Sequence, residues 1–110
     1  MADSSPKGSK QDQDKVRLEL LSATWLMGVG RVLTFGAQKY AAHNWRQGLH
    51  QSRLLGAALR HLVAFMGGQD RDPETGMSHL YHASCCLMFA SELLETHPEL
   101  DDRWKTSKNN

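Results

Sequence analysis

The sequence predicts an all-α domain of three main helices. Three segments, 22–40, 52–67 and 78–96, carry apolar residues at three- and four-residue spacing, the repeat of an amphipathic helix. Breakers separate them: Gly48 in the first connection, then Gly67, Gly68, Pro73 and Gly76 in the second. Both ends are polar. Residues 1–15 hold only Met1 and Ala2 as apolar residues, too few to offset the entropy of ordering, so a flexible tail is expected there. The helical domain is expected over 16–97 and a polar C-terminal tail over 98–110, with Leu100 and Trp104 docking back on the body. A chain of 110 residues fits one domain. Three helices make a thin core, and small domains bury a smaller share of their surface, so a homo-oligomer is expected.

The first helix is read over Ser22–Tyr40, with Leu26, Val29, Leu33, Gly36 and Tyr40 along one face and Ser22 as its N-cap. Leu18 and Leu21 are expected to pack beneath its start. Gly28 and Gly30 each weaken it by about 1 kcal/mol relative to alanine. They mark either a slightly frayed helix or the close approach of another helix. The second helix is read over 52–67 with Ser52 as N-cap. One apolar stripe runs Leu55, Leu59, Leu62, Met66, and its neighbour runs Leu54, Ala58, His61, Phe65. A histidine inside such a stripe is more often a satisfied core residue than a ligand. The glycine pair at 67 and 68 ends the helix. The third helix is read over Ser78–Thr96, with His79, His82, Cys86, Phe89 and Leu93 down one face and Leu80, Ala83, Leu87 and Leu94 beside it.

The connections carry the chemistry. Residues 39–50, KYAAHNWRQGLH, bring cations, hydrogen-bonding groups and aromatic rings into one short segment. That mixture suits an anionic, planar ligand, or else a helix–helix loop with Trp45 folded into the core. In GGQDRDPETGMS, Asp70, Asp72 and Glu74 alternate as oxygen ligands of a divalent ion do. The same acids also read as a solvated turn capping the next helix. The spacing of His79, His82 and Cys86 could hold zinc in an open three-ligand site, although the apolar neighbours of Cys86 favour a core cysteine. Glu92 and Glu95 form an E-x-x-E pair, more simply a solvated helix face. Measured along the second helix, the 39–50 segment and the acidic loop lie about 15–20 Å apart. A folded-back loop or a subunit interface would be needed to join them.

Composition narrows the classes. A net charge of +1 and no basic stripe give no electrostatic case for DNA, RNA or an anionic membrane. No apolar run approaches the roughly 18 residues of a membrane span, and the polar start lacks the core of a signal peptide. Cys85 and Cys86 are adjacent and unsuited to pairing within a helix. A reduced cytoplasmic protein is the expectation, in the host cytoplasm if it is viral.

Taken in order, KVRLELL, LTFGAQKYAAHNWRQG, SRLLGAALRHL and DRDPETGMSHLYHA resemble the dATP/dGTP diphosphohydrolase N-terminal domain of bacteriophage proteins, over about residues 15–95. The resemblance implies hydrolysis of a purine deoxynucleoside triphosphate to monophosphate and pyrophosphate, with a divalent metal, magnesium first and manganese second. Side-chain chemistry then assigns Asp70, Asp72 and Glu74 to the metal. His79, His82 and Glu74 are the catalytic candidates. Lys39, Arg46 and Arg60 are assigned to the triphosphate, Asn44 to the base edge, Tyr40 or Trp45 to stacking, and His61 to the pocket wall. The all-α pyrophosphohydrolases of the MazG kind carry E-x-x-E and E-x-x-D on separate helices, and this chain departs from them: its first helix has no such pair. A non-catalytic nucleotide-binding or regulatory module, or a helical interaction protein, are the rival readings.

Overall fold

A computed structural model of the chain describes residues 14–106. Helix α1 spans Ala23–Lys39, α2 Gln51–Met66 and α3 His79–Thr96, with short 3-10 turns at Leu18–Leu20, Asn44–Gln47 and Pro98–Leu100. Among the described residues there are no strands, only an isolated bridge between Arg71 and Ser78. No described helix is long and apolar enough to cross a membrane. Nearly all of the expected 1–15 tail, and residues 107–110, lie outside the described residues.

The helix starts follow local capping chemistry. The Ser22 side chain accepts from the Trp25 N–H and opens α1, and the Ser78 side chain accepts from the Leu80 N–H and opens α3. Such caps satisfy backbone donors that have no partner inside the helix. The expected cap at Ser52 is corrected: α2 begins at Gln51, with His50 preceding it. Ser52 lies inside the helix, and both its N–H and its hydroxyl donate to the Asp102 carboxylate. The C-terminal segment therefore ties down the start of α2. At the other end of α2, Gly68 takes φ 101°, a conformation nearly free for glycine and costly for other residues.

Helices α2 and α3 form an antiparallel hairpin. Gln51, at the start of α2, is buried and donates to the Ala90 carbonyl of α3 at 2.9 Å, while His61 near the end of α2 meets His79 at the start of α3. Leu54, Ala90 and Leu93 make the core cluster, with Trp45 and Phe89 packed against it. The stripe holding Leu54, Ala58 and His61 is thus the inward one. In its neighbour, Leu59 and Met66 are open, 59% and 82% exposed, while Leu55 and Leu62 are half-buried.

Helix α1 packs on α3, and the close approach lies at Gly28. A Cβ built there would fall 2.3 Å from the Tyr81 ring, whereas one at Gly30 meets nothing within 4 Å. Trp25 adds a hydrogen bond from its indole N–H to Ser84 Oγ at 3.0 Å. Leu18 and Leu21 remain exposed rather than packed beneath α1, and Trp104, 89% exposed, does not dock. Leu100 does: it is half-buried and its Cδ1 closes over Gly48.

Candidate metal and nucleotide site

The second connection folds into a compact turn held by Asp72. Its carboxylate accepts from the Thr75 N–H at 3.0 Å, its carbonyl from the Gly76 N–H at 2.7 Å, and its own N–H donates to the Met77 carbonyl at 2.8 Å. Gly76 adopts φ 73° at the tightest point. The Asp70 carbonyl, not its carboxylate, takes the N–H of His79 at 3.0 Å. This turn presses Asp72 toward the histidines and leaves Asp70 and Glu74 exposed.

Three imidazoles meet beside it. His61 Nδ1 and His79 Nδ1 lie 2.8 Å apart, and the His61 ring stacks on His82 with centroids 4.6 Å apart and planes at 8°. His79 is buried, its Nε2 2.7 Å from Gln69 Oε1. His82 Nε2 lies 2.7 Å from Thr75 Oγ1. One ligand atom from each of His61, Asp72 and His79 falls within 4.8 Å of the others. Two imidazoles and a carboxylate are a donor set that binds divalent transition ions. Cys86 stands apart from this group: burial raises its thiol pKa, and the buried Cys85 thiol is pushed up to about 12 by the same cause. Both therefore stay protonated and act as packing residues.

The electrostatics suit a site for a cation. Burial lowers the pKa of His61, and the neighbouring His82 and His79 lower it further. Burial also lowers His82, against the pull of Asp72. For Asp72, burial pushes upward, but the Thr75 hydrogen bonds and the nearby His82 and His61 outweigh it and hold the carboxyl below its usual value. At neutral pH His61 and His82 are thus held toward the neutral imidazole and Asp72 toward the carboxylate, the protonation states that ligate metals.

A cavity of about 640 Å³ opens beside the cluster, within the size range of small-molecule sites. Val32, Leu33 and Ala37 of α1 face His82, Cys86 and Phe89 of α3 across it, and Tyr40, His43, Asn44 and Trp45 close one end. The 39–50 segment lines this space and the acidic loop does not, yet the two segments that the sequence set far apart touch within one protomer. They meet because the end of α1 lies against the acidic loop: Lys39 Nζ is 3.4 Å from Glu74 Oε2.

The remaining candidates are dispersed. Trp45 stacks on Phe89 at 4.6 Å and carries the Arg46 guanidinium 5.0 Å from its ring centre. Arg46 also pairs with Glu92 at 3.3 Å, both side chains staying about half exposed on the helix face. Tyr40 is exposed at the cavity mouth, with Lys39 5.3 Å from its ring centre. Arg60 is exposed one residue before His61. The sequence reading missed Gln69 and Thr75, which orient two of the three imidazoles. Neither residue type signals that role in a polar, glycine-flanked loop.

Comparison with known proteins decides the family. Residues 5–103 match the family described as dATP/dGTP diphosphohydrolase, N-terminal. The chain belongs to that family. A curated relative, the dATP/dGTP diphosphohydrolase of Salmonella phage PMBT28, is 45% identical over 96 residues, covering 87% of this chain and 33% of the relative. The chain therefore spans about a third of the length of the relative it matches. No solved structure matches.

Proposed function

We propose that this domain of the dATP/dGTP diphosphohydrolase family binds a purine deoxynucleoside triphosphate beside a divalent metal and hydrolyses it to monophosphate and pyrophosphate. The observation that carries the reading is the convergence of His61, Asp72 and His79 at the edge of the cavity that His82 shares with Tyr40 and Asn44. His61, Asp72 and His79 would hold the ion. Their two imidazoles and one carboxylate suit a divalent transition ion better than magnesium, which prefers oxygen ligands, and manganese is the transition ion nearest magnesium in its liking for oxygen. When bound, the ion neutralises phosphate charge and favours attack by water at the α-phosphorus. A new P–O bond forms there as the bond from the α-phosphorus to the oxygen it shares with the β-phosphorus breaks, and that oxygen leaves with pyrophosphate.

The chain's own groups divide the remaining work. His82, kept neutral by burial and anchored by Thr75, accepts a proton from the attacking water. The apolar walls of Val32, Leu33, Ala37 and Phe89 exclude water from around the deoxynucleoside. Asn44 offers one donor and one acceptor to the base edge, and Tyr40 a ring face at the mouth. Lys39 and Arg60 supply charge for the phosphates, Lys39 by exchanging its solvent-exposed partner Glu74. A homo-oligomer would cover Leu59, Val63 and Met66, which stand 59%, 66% and 82% exposed along α2.

Incubation with dATP, dGTP and their ribose counterparts, with Mn²⁺ or Mg²⁺, should release pyrophosphate and monophosphate in equal amounts. Asp72→Asn and His61→Ala should abolish the release. Tight nucleotide binding with no turnover under any divalent ion would refute catalysis by this chain. It would favour the second reading, a nucleotide-binding module whose chemistry needs the part of the longer relative that this chain does not span.

A further inference from the structure

Gln69 lies in the loop after α2 and sends its side chain back to the buried imidazole of His79. The contact is 2.7 Å, from Gln69 Oε1 to His79 Nε2. An amide oxygen only accepts, so His79 Nε2 carries the ring proton and His79 Nδ1 carries the lone pair. That Nδ1 faces His61 Nδ1 at 2.8 Å. Two lone pairs at this distance repel, so in the metal-free protein the intervening proton belongs to His61. The hydrogen bonds then run in one direction, from His61 Nδ1–H to His79 Nδ1 and from His79 Nε2–H to Gln69 Oε1. Every ring nitrogen of the buried His79 is thereby satisfied.

From this geometry we infer that Gln69 is a positioning residue: it sets the tautomer of His79 and thereby aims the Nδ1 lone pair at the space shared with His61 and Asp72. The role rests on the metal reading proposed above. A histidine ligand whose far N–H is held by an acceptor is fixed in both tautomer and ring orientation, and loss of such a partner typically weakens metal binding 10- to 100-fold. Gln69 is exposed in its loop, so replacing it removes the acceptor without opening the core.

Two measurements on the full chain test this. Long-range ¹⁵N–¹H correlation spectra of the metal-free protein at mildly alkaline pH read the tautomer directly. His79 should carry its proton on Nε2, and Gln69→Leu should shift it toward Nδ1. Mn²⁺ titration calorimetry should show Gln69→Leu weakened about 10- to 100-fold and Gln69→Glu, which keeps the acceptor, close to wild type. An Nδ1–H tautomer of His79 in the wild type would overturn the inference. So would wild-type Mn²⁺ affinity in Gln69→Leu alongside its loss in His61→Ala. Mn²⁺ binding that survives both His61→Ala and Asp72→Asn would instead refute the metal reading, and the metal-free spectra would still decide the role of Gln69 in setting the tautomer.

Discussion

The contact between Gly28 and Tyr81 can be tested against a built-in control. Gly28→Ala places a methyl carbon 2.3, 2.4 and 2.5 Å from Cε2, Cζ and Cδ2 of Tyr81, where carbon contacts settle near 3.5–4.0 Å. The ring must retreat by about 1 Å or swing out. Either movement loosens the packing of α1 on α3. Overpacking of this kind costs about 1–3 kcal/mol, offset by the roughly 1 kcal/mol that alanine gains over glycine inside a helix. Gly30→Ala lies on the same helix and meets nothing within 4 Å, so it keeps the propensity gain alone. The difference between the two variants removes the propensity term and isolates the clash at about 1–3 kcal/mol, roughly 4–20 °C in melting temperature for a domain of this size. Urea unfolding of both variants beside wild type measures it. Equal stabilisation by the two substitutions would refute the close crossing and the placement of α1 built on it.

Three further outcomes follow from separate contacts. Asp102→Ala should remove the acceptor for the Ser52 N–H and hydroxyl and loosen the start of α2, seen as a lower melting temperature. Folding stability should fall with acid. The native pKa values of His61 and His82 lie below the ordinary value. Their contribution is therefore complete above the unfolded value of about 6.5 and is lost as pH falls through the lower native values. His61 faces His79, His82, Asp72 and Arg60, so denaturation profiles should flatten over that window in His61→Asn; an unchanged slope would refute the assignment. Val63→Glu should shift sedimentation toward monomer if the α2 stripe is the subunit contact, and an unchanged profile would remove that stripe from consideration.

Much of the helical frame was legible because it follows local rules. The three- and four-residue spacing placed each helix within a residue or two, and the caps at Ser22 and Ser78 act on backbone donors in their own first turns. Ser52 was misread because its hydroxyl is claimed by Asp102, fifty residues along the chain, which local spacing does not encode. The stripe containing His61 was readable as apolar, but whether its histidine was core or ligand depended on what faces it. Asp70, Asp72 and Glu74 looked equivalent in sequence. The turn separates them by using the Asp72 carboxylate and N–H internally and the Asp70 carbonyl at the helix start. Gln69 carried no signal, since its meaning comes from a single contact with a buried ring.

The apparent gap between the cation-rich segment and the acidic loop has the same origin. Measured along α2 the two are far apart, yet α2 is not the route that joins them. Both α1 and α2 pack on α3, so the end of α1 reaches the loop that precedes α3, and Lys39 meets Glu74 there. The cavity walls come from α1 and α3, whereas the possible metal ligands come from α2, the loop and α3. Helix α3 is common to both sets, and His82 touches both: it lines the cavity and stacks on His61. The docking of α1 through Gly28 on Tyr81 and Trp25 on Ser84 therefore controls the cavity without supplying an atom to the histidine cluster. A substitution that loosens that docking should weaken nucleotide binding while leaving the affinity for Mn²⁺ alone intact, and Gln69→Leu should weaken Mn²⁺ binding while leaving metal-free nucleotide binding intact.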